Sequence, residues 1–409
     1  MGHLNLAVVG AGPAGSSCAN AALLSGCEDV ALIDRFTFPR DKSCGDGLGA
    51  GVLEVLERLD LLDRIAGRPR VTRLSMDVFG KIHIGYDTDE LNRPSPFAHV
   101  IPRLEFDDML VKAALERGAV NFTGWALNEA RWTGELWELE LARADGETRQ
   151  ISASVLVGAD GARSRVRRIL GVPLDAEATT AIALRAYVDV PATDKGFARL
   201  DILRDMPFPG YCWLFSDGHG KGNIGLGFAV PAWKQAQVNF SDLLAQYVAY
   251  LGSEVTTQPT GTATAVIPTG FNPRILAHPS KNAALIGDAA SMISPAIGEG
   301  IFFGMYAGLL LGEELASAFR GSQSANAAIL SYQKHFNRYF SGLFRESRTT
   351  INLSSYTWFF ERMTKGAFLS PELSLDFTET MLGVMPPRKA KSMSMLLGRL
   401  VLQGVSRKR

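Results

Sequence analysis

Three short apolar runs, each followed by glycine, stand out along the chain. They cover residues 4–9, 155–157 and 283–286. Such runs are typical of strands that are buried on both faces of a parallel sheet. Although the three runs are far apart in sequence, we expect them to lie in one sheet.

Residues 175–270 instead alternate between apolar and polar positions. This pattern predicts an antiparallel sheet with strands at 181–190, 199–203, 211–215 and 223–229. A helix is expected at about 240–251 within this segment. Further strands are predicted at 71–86 and 120–141. Helical spacing of apolar residues predicts a helix at 49–65. Helices are also expected at 104–117 and from about 298 to the C-terminus.

The first predicted strand runs into a glycine-rich turn. Gly10 permits a tight turn, Gly12 allows a pyrophosphate to approach, and Gly15 lets the next helix pack closely. The start of that helix favours phosphate. Asp34 ends a second strand, where a carboxylate can accept hydrogen bonds from ribose. Together these features predict a dinucleotide site; a merely tight turn would leave Asp34 unexplained.

Two later predicted strands also end in glycine and an acid. Asp160 precedes Gly161, and Asp288 follows Gly287. Ligands of open parallel sheets bind beyond the carboxyl ends of strands, so Asp288 could hold a ribityl hydroxyl. The segment 298–300 opens the next helix, whose amides could stabilise negative charge on an isoalloxazine. A ligand that contacts all of these segments must be long, which fits FAD better than the shorter NAD.

The motif set resembles the geranylgeranyl reductase family, which lies within the para-hydroxybenzoate-hydroxylase-like flavoproteins. The resemblance covers about residues 4–340. It rests on Gly10-x-Gly12-x-x-Gly15, Pro39-x-x-x-x-Cys44-Gly45-Asp46-Gly47, Gly158-x-Asp160-Gly161, Tyr211-x-Trp213-x-Phe215, and Gly287-Asp288-Ala289-Ala290 with Pro295 and Gly298-Glu299-Gly300-Ile301. Two positions depart from it. Ser216 replaces the usual proline after Phe215, and no histidine follows Ala290, where aromatic hydroxylases often carry one.

The resemblance and the glycine motifs together give the expected cofactor site. Its candidate FAD-binding residues are Gly10, Gly12, Ala14, Gly15, Asp34, Arg35, Cys44, Gly45, Gly47, Arg103, Ala126, Asp160, Asp288, Gly298, Gly300 and Ile301. Ala126 would contact adenine through its backbone. An isoprenoid would enter a cavity under the sheet.

The candidate catalytic residues are Cys44, Tyr211 and Trp213. A neutral Cys44 thiol near the flavin would suit a proton donor, although cysteine is also a common small filler of tight turns. Tyr211 and Trp213 share one strand face with Phe215. These aromatic residues could form the wall of an isoprenoid cavity or belong to an ordinary core.

The predicted fold class is α/β. A Rossmann-like FAD-binding domain of the glutathione-reductase type is expected at 1–174 and 271–320, including part of the substrate sheet at about 71–103. An antiparallel-sheet substrate domain is inserted at 175–270. A C-terminal helical region follows at 321–409.

The composition restricts the partners and the cellular location that are expected for this protein. The 42 basic residues balance the 42 acidic ones, which argues against nucleic acid as a partner. The four cysteines have no metal or disulfide spacing. With no secretory signal before the first strand, these features predict a cytoplasmic protein. The most apolar stretch, 301–312, has about half the length needed to span a bilayer.

Residues 388–409 contain seven basic side chains, no acidic one and apolar residues at helical spacing. This predicts peripheral contact with the inner face of the membrane; the alternative is a terminal helix docked on the protein. A second basic cluster, formed by four arginines, could attract the phosphate of a nicotinamide cofactor or be a solvated helix face: Arg163, Arg165, Arg167 and Arg168.

The leading hypothesis is a flavin-dependent reductase of isoprenoid double bonds, which would act on a hydrophobic lipid. Transient NAD(P)H or reduced ferredoxin would supply electrons, because the chain has only one dinucleotide fingerprint. One alternative is an FAD-dependent monooxygenase. A second alternative is a prenyl-lipid binding or escort module, against which Asp34, Asp160 and Asp288 argue.

Overall fold

The computed structural model describes residues 3–92, 95–370, 372–373, 376 and 398–402. In chain order, its strands are β1 (Leu4–Val9), β2 (Val30–Asp34), β3 (Gly47–Gly49), β4 (Val71–Val78), β5 (Ile82–Asp87), β6 (Phe97–Val100), β7 (Val120–Thr123), β8 (Ala126–Trp132), β9 (Trp137–Ala142), β10 (Thr148–Gly158), β11 (Thr180–Asp189), β12 (Gly196–Ile202), β13 (Gly210–Ser216), β14 (Lys221–Ala229), β15 (Thr260–Pro268), β16 (Ala277–His278) and β17 (Ala283–Leu285).

The helices follow the same order. They are α1 (Pro13–Leu24), α2 (Gly51–Arg58), α3 (Arg103–Glu116), α4 (Arg165–Ile169), α5 (Val230–Ala236), α6 (Phe240–Leu251), α7 (Ile301–Phe319), α8 (Ala325–Ser354) and α9 (Thr357–Leu369). Short 3-10 turns lie at Leu62–Ile65, Glu177–Thr179, Gly252–Glu254, Pro279–Lys281 and Gly287–Ala290.

The first sheet has a parallel centre. β1 pairs in parallel with β10 and β2, and β10 pairs in parallel with β17. The three apolar runs of the sequence therefore lie in one sheet, as predicted. The parallel centre is completed by β7 beside β2, and β16 and the β8–β9 hairpin add antiparallel strands. Helices cover it, so the α/β prediction is confirmed.

Helix α7 packs against α1 with backbone in close contact. Glycines stand at every fourth position of α7, at Gly304, Gly308 and Gly312. A Cβ at Gly308 would overlap the Ala14 carbonyl oxygen, and one at Gly312 would lie 2.5 Å from the Cys18 carbonyl oxygen. This packing places the first turns of the two helices side by side.

Helix α7 extends beyond the most apolar stretch of the sequence, residues 301–312. The helix continues past residue 312 to Phe319, so that its 19 residues are long and apolar enough to span a membrane by length and composition. However, 67% of that stretch is buried inside the protein. Because α7 also packs on α1 and α8, it is a core helix of this fold.

The second sheet is almost entirely antiparallel. Its strand order is β15-β11-β14-β13-β12-β4-β5, with β12 and β4 paired in parallel. The strands at 71–87 therefore extend the sheet built by residues 180–268. The boundaries of the inserted domain stay a prediction, since sheet pairing alone does not define a folding unit.

The two faces of this sheet have different surroundings. Cys212 and Leu214 of β13 pack with Leu243 and Tyr247 of α6. Since side chains alternate along a strand, the Tyr211, Trp213 and Phe215 side chains lie on the opposite face. The aromatic stripe therefore faces away from α6.

One helical prediction needs correction. The helix expected at 49–65 ends at Arg58, because Asp60 takes a left-handed φ of 53° and a 3-10 turn follows. The helical region expected after 298 is confirmed over the described residues by α7, α8, α9 and the helical residues 372–373, 376 and 398–402. Most of the basic segment 388–409 lies outside the described residues.

Candidate active site

A cavity of about 650 Å³ lies between the two sheets. The glycine turn, the loop around Cys44 and the start of α7 line one part of it. The stripe face of the second sheet and residues of α8 and α9 line another. The cavity thus joins segments that are hundreds of residues apart in sequence.

The glycine turn is shaped for a ligand at Gly12. A Cβ at Gly10 would overlap the Ala159 carbonyl oxygen, and one at Gly15 would overlap the Gly10 carbonyl oxygen, so both are needed for close packing. A Cβ at Gly12 would meet only Arg40 and Arg103, at 3.6 and 4.0 Å.

The N-terminus of α1 adjoins this turn and favours an anion. It has no side-chain cap and no acidic residue in its first turn. Pro13 has no N–H, and the next amides of the first turn have no partner within the helix; Pro13 and Ala14 line the cavity.

Two arginines stand beside Gly12. The Arg103 Nε and Arg40 Nη1 atoms lie 2.6 and 2.8 Å from the two carboxylate oxygens of Asp107. Two guanidinium groups share one carboxylate, so one positive charge is left over next to the glycine turn. Sequence reasoning singled out Arg103 but missed Arg40, since only the fold brings its loop to Gly12.

The residues predicted for the ribose and adenine lie at the end of β2. The Asp34 carboxylate accepts hydrogen bonds from the Ala11 and Phe36 amides, at 2.8 and 2.9 Å. Arg35 is exposed and stacks on the Phe36 ring. Ala126 is half-buried. It lies near Asp34, since the amide of the residue before it donates a hydrogen bond to the Asp34 carbonyl. The three predicted residues thus lie close together.

Asp160 has a role that the sequence did not suggest. Its carboxylate accepts hydrogen bonds from the Ser164 hydroxyl and from the Arg165 and Val166 amides, and so caps α4. Burial raises the pKa of Asp160, and these hydrogen bonds oppose that rise. Its side chain is therefore engaged within the protein, and its neighbours Ala159 and Gly161 line the cavity.

Asp288 faces the cavity from the 3-10 turn that follows β17. Its Oδ2 atom lies 3.0 Å from Lys42 Nζ. Burial opposes ionisation, but the charge and hydrogen bond of Lys42 hold the pKa of Asp288 below its ordinary value. Lys42 was not predicted; it connects the Cys44 loop to the Asp288 turn across the cavity.

The N-terminus of α7 was expected to offer free backbone amides to a ligand, but one of these amides is already engaged. Three of the predicted FAD-binding residues line the cavity here: Gly298, Gly300 and Ile301. However, the Glu299 carboxylate accepts a hydrogen bond of 2.8 Å from the Phe302 amide, which is therefore not free for a ligand. Burial raises the pKa of Glu299 to about 7, against the hydrogen bonds from the Phe302 and Ile301 amides.

The Cys44 loop lies against the aromatic stripe. A Cβ at Gly45 or Gly47 would come within 3.1–3.2 Å of the Phe215 ring, so the loop backbone lies directly on that ring. Burial raises the pKa of the Cys44 thiol, and the charge of Arg103 opposes that rise. The thiol is therefore protonated at neutral pH.

The two aromatic candidates are both held by hydrogen bonds. The Tyr211 hydroxyl donates to the Ile297 carbonyl at 2.6 Å, just before the start of α7. The Trp213 indole Nε1 donates to Asn223 Oδ1 at 2.9 Å. Both line the cavity with Cys44, so the structure brings the three candidate catalytic residues together.

Comparisons with known proteins identify the fold. A family model described as an FAD binding domain matches residues 3–218, which is more than half of the chain. A menaquinone reductase of Mycolicibacterium smegmatis is 32% identical over 347 residues, 82% of each chain. A geranylgeranyl diphosphate reductase of Rhodobacter capsulatus is 29% identical, covering 76% of this chain and 74% of the relative.

A solved structure supports the same assignment at the level of the fold. It is a geranylgeranyl bacteriochlorophyll reductase-like protein from Thermoplasma acidophilum, with a TM-score of 0.77 and 18% identity over 99% of this chain and 97% of that one. The chain belongs to the geranylgeranyl reductase family of FAD-dependent oxidoreductases.

The donor set of this flavoprotein fits FAD. The open position at Gly12, the free start of α1 and the unbalanced charge of Arg40 and Arg103 suit a pyrophosphate. Asp288 suits a hydroxyl-bearing chain next to it. Gly10, Gly15 and Asp160 instead stabilise the backbone around this site, since their contacts are with other residues of the protein.

Proposed function

We propose that this flavoprotein reduces carbon–carbon double bonds in the isoprenoid chain of a lipid, with a menaquinone as the first candidate. The observation that carries the proposal is the apolar cavity wall that continues from the Cys44 loop. The names of two relatives, a menaquinone reductase and a geranylgeranyl diphosphate reductase, support the substrate class.

The wall away from the glycine turn is apolar. Its side chains come from strands of the second sheet: Leu74, Met76, Ile84, Leu200, Ile202 and Ile267. On the far side, the Phe208 and Phe360 rings pack with centroids 5.0 Å apart, which joins α9 to the sheet. An isoprenoid chain lacks polar handles, so such a wall suits it.

The proposed reaction needs a hydride donor and a proton donor. FAD, when bound, supplies hydride chemistry. The Cys44 thiol holds a proton at neutral pH and can donate it to the alkene carbon that does not receive the hydride. Trp213 and Phe215 exclude water and align the chain, which matters because an isolated alkene accepts hydride poorly.

The electron donor in this proposal is transient NAD(P)H or reduced ferredoxin. The predicted arginine cluster is only partly available to it. Arg167 is buried in an ion pair of 3.0 Å with Asp175, whereas Arg163, Arg165 and Arg168 are exposed. The three exposed cations are the part of the cluster that could attract a phosphate.

The mass of the product tests the proposal. The FAD-loaded enzyme is reduced, supplied with a menaquinone and sampled by mass spectrometry, with boiled enzyme as the control. The lipid is reoxidised in air before its mass is measured, because reduction of the quinone ring also adds two hydrogens. A gain of two hydrogens that remains in the isoprenoid chain supports the reductase. A gain of oxygen would show the monooxygenase alternative, and unchanged lipid that co-purifies with the protein would show the binding module.

A further inference from the structure

Asn223 uses its whole side-chain amide to connect the Cys44 loop to the aromatic stripe. It lies on β14 and is 2% exposed. Its Nδ2 donates to the Cys44 carbonyl at 2.8 Å and to Asp46 Oδ2 at 2.7 Å. Its Oδ1 accepts from the Trp213 indole at 2.9 Å. Both N–H donors and the carbonyl oxygen of the amide are therefore engaged, so the three partners fix the orientation of the amide plane.

Asp46 is the acceptor at the centre of this contact. It is 1% exposed and has a left-handed φ of 60°. Its Oδ2 also accepts a hydrogen bond of 2.9 Å from the Tyr187 hydroxyl on β11, and its amide donates to Cys44 Sγ at 3.4 Å. Two neighbouring strands therefore hold the carboxylate that shapes the loop around the thiol.

The contact joins parts of the chain that no strand pairing joins. The loop 41–47 follows the first sheet, whereas Asn223 and Tyr187 belong to the second. A hydrophobic contact between the loop and Phe215 limits their distance but does not set direction. Ser43 and Asp41 also have hydrogen bonds to the second sheet, with the Ala263 carbonyl and Arg185. Among the described residues, the Asn223 amide is the group that bonds both the Cys44 backbone and the Trp213 indole.

We propose that Asn223 is a positioning residue that fixes the Cys44 thiol and the Trp213 indole relative to each other at the cavity. The role rests on the proposed function, in which Cys44 holds the proton and Trp213 aligns the isoprenoid chain. Sequence reasoning had no signal for Asn223, because its partners are 10 to 179 residues away.

Thiol labelling of the FAD-loaded protein tests this role without turnover. Cys18, Cys27 and Cys212 are buried, so a pyridyl disulfide reports mainly Cys44, with Cys44→Ser giving the background. Asn223→Ala removes the bonds to the loop, and labelling should become about tenfold faster. Tyr187→Phe is the matched control, since it removes one bond to Asp46 but none to the Cys44 carbonyl; its labelling should stay within about threefold of the wild type.

A pH profile separates positioning from general destabilisation. In Asn223→Asp, the introduced carboxyl faces the Asp46 carboxylate, the Tyr187 hydroxyl and the charges of Arg103 and Arg185. Two adjacent carboxyls share a proton at low pH, which restores a donor. The shared proton replaces one of the two N–H donors of the asparagine, so the ratio of labelling rates, variant to wild type, should be high above pH ~7 and clearly lower near pH ~5.

Two results would overturn the inference. One is wild-type labelling in an Asn223→Ala protein that keeps its FAD; the other is a labelling ratio for Asn223→Asp that is the same at both pH values. Failure of alkene reduction with the expected labelling would instead contradict the proposed function and leave the positioning role standing.

Discussion

Glu299 is the residue whose charge matters most at the start of α7. Its carboxyl lies in the cavity lining, is 8% exposed and has a pKa of about 7, raised by burial. Near neutral pH it therefore changes between a neutral group and an anion at the helix N-terminus. A neutral Glu299 leaves the positive end of the helix dipole uncancelled, and an ionised one cancels it.

Glu299 should make stability depend on pH. Its ordinary pKa is 4.5, so between about pH 4.5 and 7 the folded protein holds a proton that the unfolded chain has released. Stability therefore falls as pH rises through this window, by a few kcal/mol in order of magnitude. Glu299→Gln should remove this fall. Urea unfolding of both proteins at several pH values measures it, and parallel pH profiles for both would contradict the account.

At the residue scale, the sequence predicted what local spacing encodes. Gly10, Gly12 and Gly15 take the predicted turn, since their roles depend on neighbours a few residues away. Arg40 and Asn223 escaped prediction because each acquires its partners only through the tertiary fold. Whether the predicted residues hold FAD stays a prediction.

At the scale of elements, the site depends on two helices whose N-termini are adjacent. Gly304, Gly308 and Gly312 bring α7 into backbone contact with α1. The sequence predicted the first helix from the glycine-rich turn before it and the second as the start of the helical region after about residue 298. It did not predict their contact, because a glycine at every fourth position becomes a packing surface only when the partner helix is known.

Two glycine substitutions should separate packing from binding. In Gly15→Ala the new methyl overlaps the Gly10 carbonyl, so we expect a loss of about 1–3 kcal/mol or more in stability. In Gly12→Ala the methyl enters the open space beside Arg40. The fold should then persist while FAD affinity falls at least about tenfold.

Thermal melting of the apoprotein and FAD titration measure the two effects. Gly12→Ala is the informative variant, because Gly15→Ala serves as its packing control. Full FAD affinity in Gly12→Ala would show that the pyrophosphate does not lie at this turn.

At the scale of the whole molecule, C-terminal residues help to enclose the cavity. Leu400 is 1% exposed and lines the cavity, and a Cβ at Gly366 of α9 would overlap its carbonyl oxygen. Within the described residues 398–402, Leu400 thus packs on α9, whereas Leu402 is 69% exposed. Membrane contact through the rest of 388–409 stays a proposal.

Charge substitutions test membrane contact without removing Leu400. Six tail cations are replaced by serine: Arg388, Lys389, Lys391, Arg407, Lys408 and Arg409. Each cation near an anionic surface contributes about 1 kcal/mol, so binding to anionic vesicles should fall at least about tenfold. Co-sedimentation measures it, with neutral vesicles and FAD content as controls. Unchanged binding to anionic vesicles would exclude this segment as the contact.

The central claim is that electrons pass from the reduced flavoprotein to an isoprenoid double bond, and an anaerobic single turnover tests it most directly. The enzyme is reduced chemically, freed of excess reductant and mixed with a menaquinone without oxygen. The account predicts that the absorbance of oxidised flavin returns and that the lipid, once its quinone ring has been reoxidised in air, still carries two added hydrogens in the isoprenoid chain. Lipid that returns to its starting mass on reoxidation would show reduction of the ring alone and contradict the account. A flavin that stays reduced until air is admitted, with product that gains oxygen, would contradict it.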